Sequence, residues 1–216
     1  MARYKTVIFD LDGTLLNTLE DLCDSTNFAL AQFGYPARTL EQVRAFVGNG
    51  IGKLIERAVP EGTESDVCAE VLGVFKAHYA ENCNNKTRAY DGIVPLLARL
   101  KSENVKIAVV SNKVDSAVKA LCERYFAEYI DVAMGETANI RRKPAPDTIF
   151  AAMELLGAEK ESTVYIGDSE VDVESAKNAG IDLVAVSWGF RDAEMLASLG
   201  DFPIADTSED ILRLLN

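Results

Sequence analysis

The chain has 216 residues, 48% hydrophobic and 26% charged, with 34 acidic against 22 basic side chains and a formal net charge of −12. That length buries one good-sized core with room for a small inserted module, and the composition excludes a disordered, collagen-like or coiled-coil chain. The negative balance excludes nucleic acid and anionic membrane as default partners, because either needs a basic face.

The first predicted element is an apolar run, KTVIF at residues 5–9, too short for a signal-peptide core and followed at once by two carboxylates, Asp10 and Asp12. From about Leu16 to about Asn82 the pattern is helical with no strand candidate: Leu19, Leu22, Thr26, Phe28, Leu30 and Phe33 lie at helical spacing up to Gly34, and Val67 to Tyr79 gives another helix. A four-helix insert with two crossings is expected, the polar, turn-rich NCNNKTRAYDG at 82–92 serving as the return. Strand patterns then resume at VKIAVV (105–110), IDVAM (130–134), STVYI (162–166) and DLVAV (182–186). Apolar on both faces and alternating with helices, these runs predict a doubly wound parallel α/β sheet. The expected domains are an α/β core of residues 1–15 and 83–216 and an all-helical cap of residues 16–82. Cys23, Cys68, Cys83 and Cys122 are widely spaced, with no C-x-x-C pair or histidine cluster, and read as reduced thiols of a cytoplasmic protein. No segment approaches a membrane span.

Ligands of an open α/β sheet bind beyond the carboxyl ends of its strands. There the sequence places Asp10 and Asp12 after the first run, Ser111 and Asn112 after the second, and Gly167, Asp168 and Ser169 after STVYI. Each alone fits a turn or a helix cap, and Glu170 and Asp172 fit the first turn of a helix. Their coincidence is what a structural reading leaves unexplained. Two carboxylates about 4 Å apart repel by roughly 4 kcal/mol at an effective dielectric near 20, so Asp10, Asp12 and Asp168 gather only around a cation. With no histidine or cysteine in these motifs, the oxygen donors match Mg²⁺. D-L-D-G is no EF-hand loop, since Gly13 comes too early and the segment follows a strand. Lys143 is expected to be held extended by Pro144, with Pro146 suited to the first turn of a helix. It is the candidate anion ligand; Arg141 and Arg142 read as a solvated basic turn.

D-L-D-G-T-L, V-V-S-N-K, R-K-P-A-P and G-D-S-E-V-D-V, in this order and spacing, resemble the four motifs of the haloacid dehalogenase-like superfamily over nearly the whole chain. FVGNGIGKLIERAV at 46–59 and YDGIVPLLARLKSENVKIAVVSNK at 90–113 resemble its phosphoglycolate phosphatase branch. The resemblance implies a Rossmann-like core with a small helical cap, and a monomeric or homodimeric phosphatase acting on a small phosphorylated metabolite, phosphoglycolate first, with pyrophosphate or sugar phosphates behind. It implies Asp10 as the nucleophile that forms an aspartyl-phosphate and Asp12 as general acid and then base. Ser111 and Lys143 would bind the phosphoryl oxygens, and Asn112 would position the nucleophile. Asp10, the Asp12 main-chain carbonyl and Asp168 would hold Mg²⁺, with Asp172 as a further ligand or supporting acid. Gly13 and Thr14 would shape the turn along which phosphate meets main-chain N–H groups.

Three features depart from or sharpen this pattern. Asn17 stands where many relatives carry Asp at the cap entry. Asp12 separates the chain from the dehalogenases, which lack a second acid, and Leu22 stands where the related phosphosugar mutases carry a cap histidine, so hydrolysis is preferred over the mutase alternative. A non-catalytic ligand-binding protein would have lost Asp10, Asp12, Lys143 or Asp168, and all four are present. In the cap, Gly48, Asn49 and Gly50 form either a loop that reads the leaving group, as in similar phosphatases, or a plain helix-ending turn. Lys53 is a substrate contact or a solvated lysine, His78 is expected to be a partly buried structural residue, and Trp188 to pack on the core. Cap closure over the ester would exclude water.

Overall fold

Four residues rich in β-branching open the computed structural model, which describes residues 3–215: strand β1 (Thr6–Phe9) is fully buried. After β2 (Leu16–Asn17) come helices α1 (Leu19–Gln32), α2 (Leu40–Phe46), α3 (Gly50–Ala58) and α4 (Ser65–Asn82), then β3 (Arg88–Ala89). The remainder alternates: α5 (Ile93–Ser102), β4 (Lys106–Val114), α6 (Asp115–Phe126), β5 (Val132–Glu136), α7 (Asp147–Leu156), β6 (Thr163–Gly167), α8 (Glu170–Ala179), β7 (Asp182–Val186), α9 (Ala193–Ala197), β8 (Ile204–Ala205) and α10 (Ser208–Leu214). The chain divides into two compact units, one running to Leu16 and resuming at Ala89, the other Asn17–Arg88.

In the first unit six strands pair in the order β5-β4-β1-β6-β7-β8, all parallel. The chain builds outward from β1 on one side and then returns to the other, so strand order reverses between β1 and β6. Alternation along β1 explains why both faces are covered. Val7 and Phe9 join Ile107, Val109, Val164 and Ile166 against Leu96 and Leu100 of α5, Val118 and Leu121 of α6 and Ile211 of α10. Ile8 joins Ala108, Val110 and Tyr165 on the opposite face against Ile149 and Met153 of α7 and Ala176 of α8. Trp188 packs against the first of these layers.

The five anticipated strands are present, and two differences bear on the site. The strand expected to stop at residue 110 continues through Val114 with a register shift past Val110, so Ser111 and Asn112 lie inside β4. The sixth strand, β8, is two residues long and carries no periodicity to be read.

The second unit packs α1 on α4, α2 and α3, with Leu22, Leu30, Val43, Leu54, Val71 and Phe75 buried. Thr39 and Gln42 form a capping box that starts α2. His78 is half-buried, its Nδ1 3.0 Å from Ser25 Oγ and its ring stacked on Phe28, which fits a structural role. Asp21, buried on α1, accepts from the Lys86 N–H, the Thr87 N–H and the Thr87 hydroxyl, tying the end of the unit to its first helix.

Candidate active site

The site is built on the two strands that flank the reversal. β1 delivers Asp10, whose N–H donates to Ile166 O of β6, and β6 delivers Asp168. Asp10, Asp168 and Asp172 are all buried, and each brings one carboxylate oxygen to within 4.8 Å of the other two.

Lys143 joins this cluster. Its Nζ lies 2.8 Å from Asp10 Oδ1, 2.8 Å from Asp172 Oδ1 and 2.9 Å from the Tyr165 hydroxyl. The lysine is placed by a turn: Ala145 N–H donates to Arg142 O at 3.0 Å around a cis Lys143–Pro144 bond, as in turns with proline at the third position. Asn112 Nδ2 donates to Lys143 O at 3.0 Å, so Asn112 steadies the lysine-bearing turn. The reading that gave Asn112 to the nucleophile thus becomes one of support through Lys143. Arg141 is exposed and pairs with Asp147, as befits a solvated turn.

Asp172 has both oxygens occupied. Oδ1 faces Lys143 and Tyr165, while Oδ2 accepts from the N–H groups of Asp168 and Ser169 and from the Ser169 hydroxyl. With Ser169 it forms a capping box that starts α8. One carboxylate therefore anchors the helix, the strand-end loop and the lysine together.

Asp168 is held between two glycines. A Cβ on Gly13 would fall 2.4 Å from Asp168 Oδ2, and one on Gly189 would fall 2.3 Å from Asp168 Cβ. Thr14 Oγ1 donates to Asp168 Oδ1 at 2.9 Å and Phe190 N–H to Oδ2 at 2.8 Å. The expected phosphate-cradling turn is thus largely committed elsewhere: Thr14 spends its hydroxyl on Asp168, and Gly13 N–H donates to Leu16 O. Gly13 is needed for its positive φ of 92° and for the room it leaves Asp168.

Ser111 is buried, and its Oγ accepts from Lys113 N–H at 3.3 Å. Asp12 is gripped by Lys113, whose Nζ lies 2.9 and 3.2 Å from its two oxygens. Sequence reasoning gave individual roles to neither Lys113 nor Tyr165, because the partner of each arrives from a distant segment of the chain. Gly48, Asn49 and Gly50 lie in the helical unit between α2 and α3. Asn49 precedes α3 without a side-chain capping bond, its Oδ1 accepting from Arg57 at 3.0 Å, and Gly48 and Gly50 have positive φ.

Electrostatics explain what this arrangement lacks. Burial, opposed by Lys143 and reinforced by Asp172 and Asp12, pushes the Asp10 carboxyl up to about 7. Burial, then the charges of Asp172 and Asp10, push Asp168 well above the carboxylate range despite donors from Phe190 and Thr14. Burial alone would lower Lys143, but Asp10 and Asp172 hold it far above the usual ammonium range. Three clustered carboxylates share one ammonium, which pairs with Asp10 and Asp172, leaving two negative charges uncompensated in a buried, all-oxygen donor set. A divalent hard cation fits that deficit, and Mg²⁺ is such a cation.

The haloacid dehalogenase-like hydrolase family model matches residues 7–186. A phosphoglycolate phosphatase of Mesorhizobium japonicum is 36% identical over 194 residues, covering 86% of this chain and 84% of that protein. One of Aquifex aeolicus is 29% identical, covering 98% and 97%. A crystal structure from Lactobacillus delbrueckii subsp. bulgaricus, described as a candidate phosphoglycolate phosphatase, superposes with a TM-score of 0.95 at 37% identity, covering 99% of this chain and 98% of its own. The chain belongs to the haloacid dehalogenase-like hydrolase family. Within it the chain is a phosphatase, a hydrolase of phosphoric monoesters. No helix among the described residues is long and apolar enough to cross a membrane.

Proposed function

We propose that the chain is a Mg²⁺-dependent phosphatase of phosphoglycolate that works through an aspartyl-phosphate on Asp10. The observation that carries this reading is the buried cluster of Asp10, Asp168 and Asp172 at the reversal of strand order, with Lys143 paired to Asp10 and Asp172. The similarity to phosphoglycolate phosphatases supports the choice of substrate.

Asp10 attacks phosphorus in line and expels the alkoxide, which takes its proton from Asp12. Asp12 then removes a proton from the water that hydrolyses the aspartyl-phosphate, returning Asp10. Lys143 and Ser111 bind the equatorial oxygens and stabilise the charge that develops on them. The Asp10 and Asp168 carboxylates and the Asp12 main-chain carbonyl would hold Mg²⁺. Asp172, with both oxygens engaged, orients Lys143 and the Asp168 loop instead of ligating directly. Bound Mg²⁺ supplies the positive charge that keeps Asp10 ionised and offsets the charge of the phosphoryl group. A cytoplasmic setting accords with Cys23, Cys68, Cys83 and Cys122 all being free thiols.

The test is phosphate release from phosphoglycolate, pyrophosphate, sugar phosphates and nucleotides, with Mg²⁺ or with EDTA, by wild type and Asp10→Asn. The expected result is Mg²⁺-dependent release, fastest with phosphoglycolate and lost in the variant. Another best ester would replace the substrate but keep the mechanism, and release that survives Asp10→Asn would remove the mechanism.

A further inference from the structure

The reaction asks Asp12 to face the leaving oxygen in one step and a water in the next, yet Asp12 lies just beyond β1, where its main chain bridges to Leu16 and that bridge leaves the carboxylate itself unheld. Lys113 supplies what the bridge does not. Its side chain is only 6% exposed, against 18% for Asp12, and its Nζ meets both Asp12 oxygens. Burying an ammonium is expensive, and ordering a lysine costs up to about 2 kcal/mol of rotamer entropy, so this placement calls for a reason.

The mount beneath the lysine is stiff. Lys113 N–H donates to Ser111 Oγ, and β5 packs so closely behind it that a Cβ on Gly135 would fall 2.5 Å from Lys113 O. The segment past the register shift of β4 therefore fixes the ammonium and, through it, the acid on the neighbouring strand end.

We propose that Lys113 is a positioning residue for Asp12, its two-pronged contact holding the carboxyl in the rotamer that serves proton transfer. This rests on Asp12 being the acid and base. Lys113 contacts neither phosphorus nor metal in this scheme; it acts through the aspartate it holds.

Leaving-group chemistry separates this role from general structural damage. The ratio kcat/KM reports events through departure of the leaving group. Glycolate leaves as a poor alkoxide and needs a proton, whereas p-nitrophenolate leaves without one. Misplacing Asp12 therefore depresses the first far more than the second, while damage to Asp10, Lys143 or the metal site depresses both alike.

The experiment measures kcat/KM with phosphoglycolate and with p-nitrophenyl phosphate at saturating Mg²⁺ for wild type, Lys113→Met, Lys113→Arg and Asp12→Asn. Lys113→Met keeps the stem and removes the charge, and its expected loss is about 100-fold on phosphoglycolate, with p-nitrophenyl phosphate changed by only a few-fold. Lys113→Arg, which restores two donors, recovers most of the difference. Should Lys113→Met fail to fold, Lys113→Gln takes its place with the same expected ratio. Equal losses on the two esters, or no loss on either, overturn the proposal. Asp12→Asn isolates the premise: if it discriminates between the esters and Lys113→Met does not, the lysine's role alone falls. If Asp12→Asn hydrolyses phosphoglycolate like wild type, the acid–base reading falls and takes the proposal with it, as does a wild type that cleaves neither ester.

Discussion

Asp168 shows how much of a functional residue is made by what surrounds it. Its carboxylate occupies space that any side chain at positions 13 or 189 would fill. Gly189→Ala is therefore expected to displace Asp168 without altering any chemical group, lowering kcat/KM about 100-fold in steady-state assays and raising the Mg²⁺ concentration needed for half-maximal rate. Asp10, Asp12 and Asp168 were legible in the sequence because carboxylates directly after apolar strands are costly and conspicuous. Gly189, Phe190, Tyr165 and Lys113 were not, because their parts depend on which strands become neighbours. Tyr165 has the apolar-run context of a core residue, and its hydroxyl matters only because Lys143 arrives from another segment.

At the level of elements, α8 is tied to the acidic cluster through its first turn. Asp172 caps the helix and holds Lys143, so Asp172→Ala removes a cap and leaves a buried ammonium short of a partner. The expected cost is about 3 kcal/mol in urea unfolding, the low end for a broken buried pair because repulsion from Asp10 and Asp168 is relieved at the same time. In the helical unit Asp21 plays the corresponding part, and Asp21→Ala is expected to lose about 2 kcal/mol by the same measurement, since the Lys86 and Thr87 N–H groups are left without an acceptor while the Thr87 hydroxyl keeps Cys83 O. The long strands and helices were readable from period alone. β8 was not, being two residues at a sheet edge, and the extent of β4 was hidden because Ser111 and Asn112 look like a cap after a strand. Val114, not either of them, precedes α6.

In a molecule of formal charge −12, the buried acidic cluster leaves two negative charges uncompensated where water cannot screen them. Mg²⁺ at a hundredfold excess over its dissociation constant is expected to stabilise the fold by about 2.7 kcal/mol, or roughly 5–10 °C in a thermal melt, and EDTA to reverse the shift. Asp168→Asn should blunt that shift, a readout independent of turnover.

The pairing of the chain's two crossings has a consequence for how such a protein can change. Tyr90 N–H already donates to Leu15 O at 3.1 Å, β2 pairs with β3, and Asp21 clasps the segment at 86–87 to α1. Residues 17–88 thus form a cassette with adjacent ends. A short bridge can replace it, or a different module occupy the gap, without lengthening any strand of the sheet.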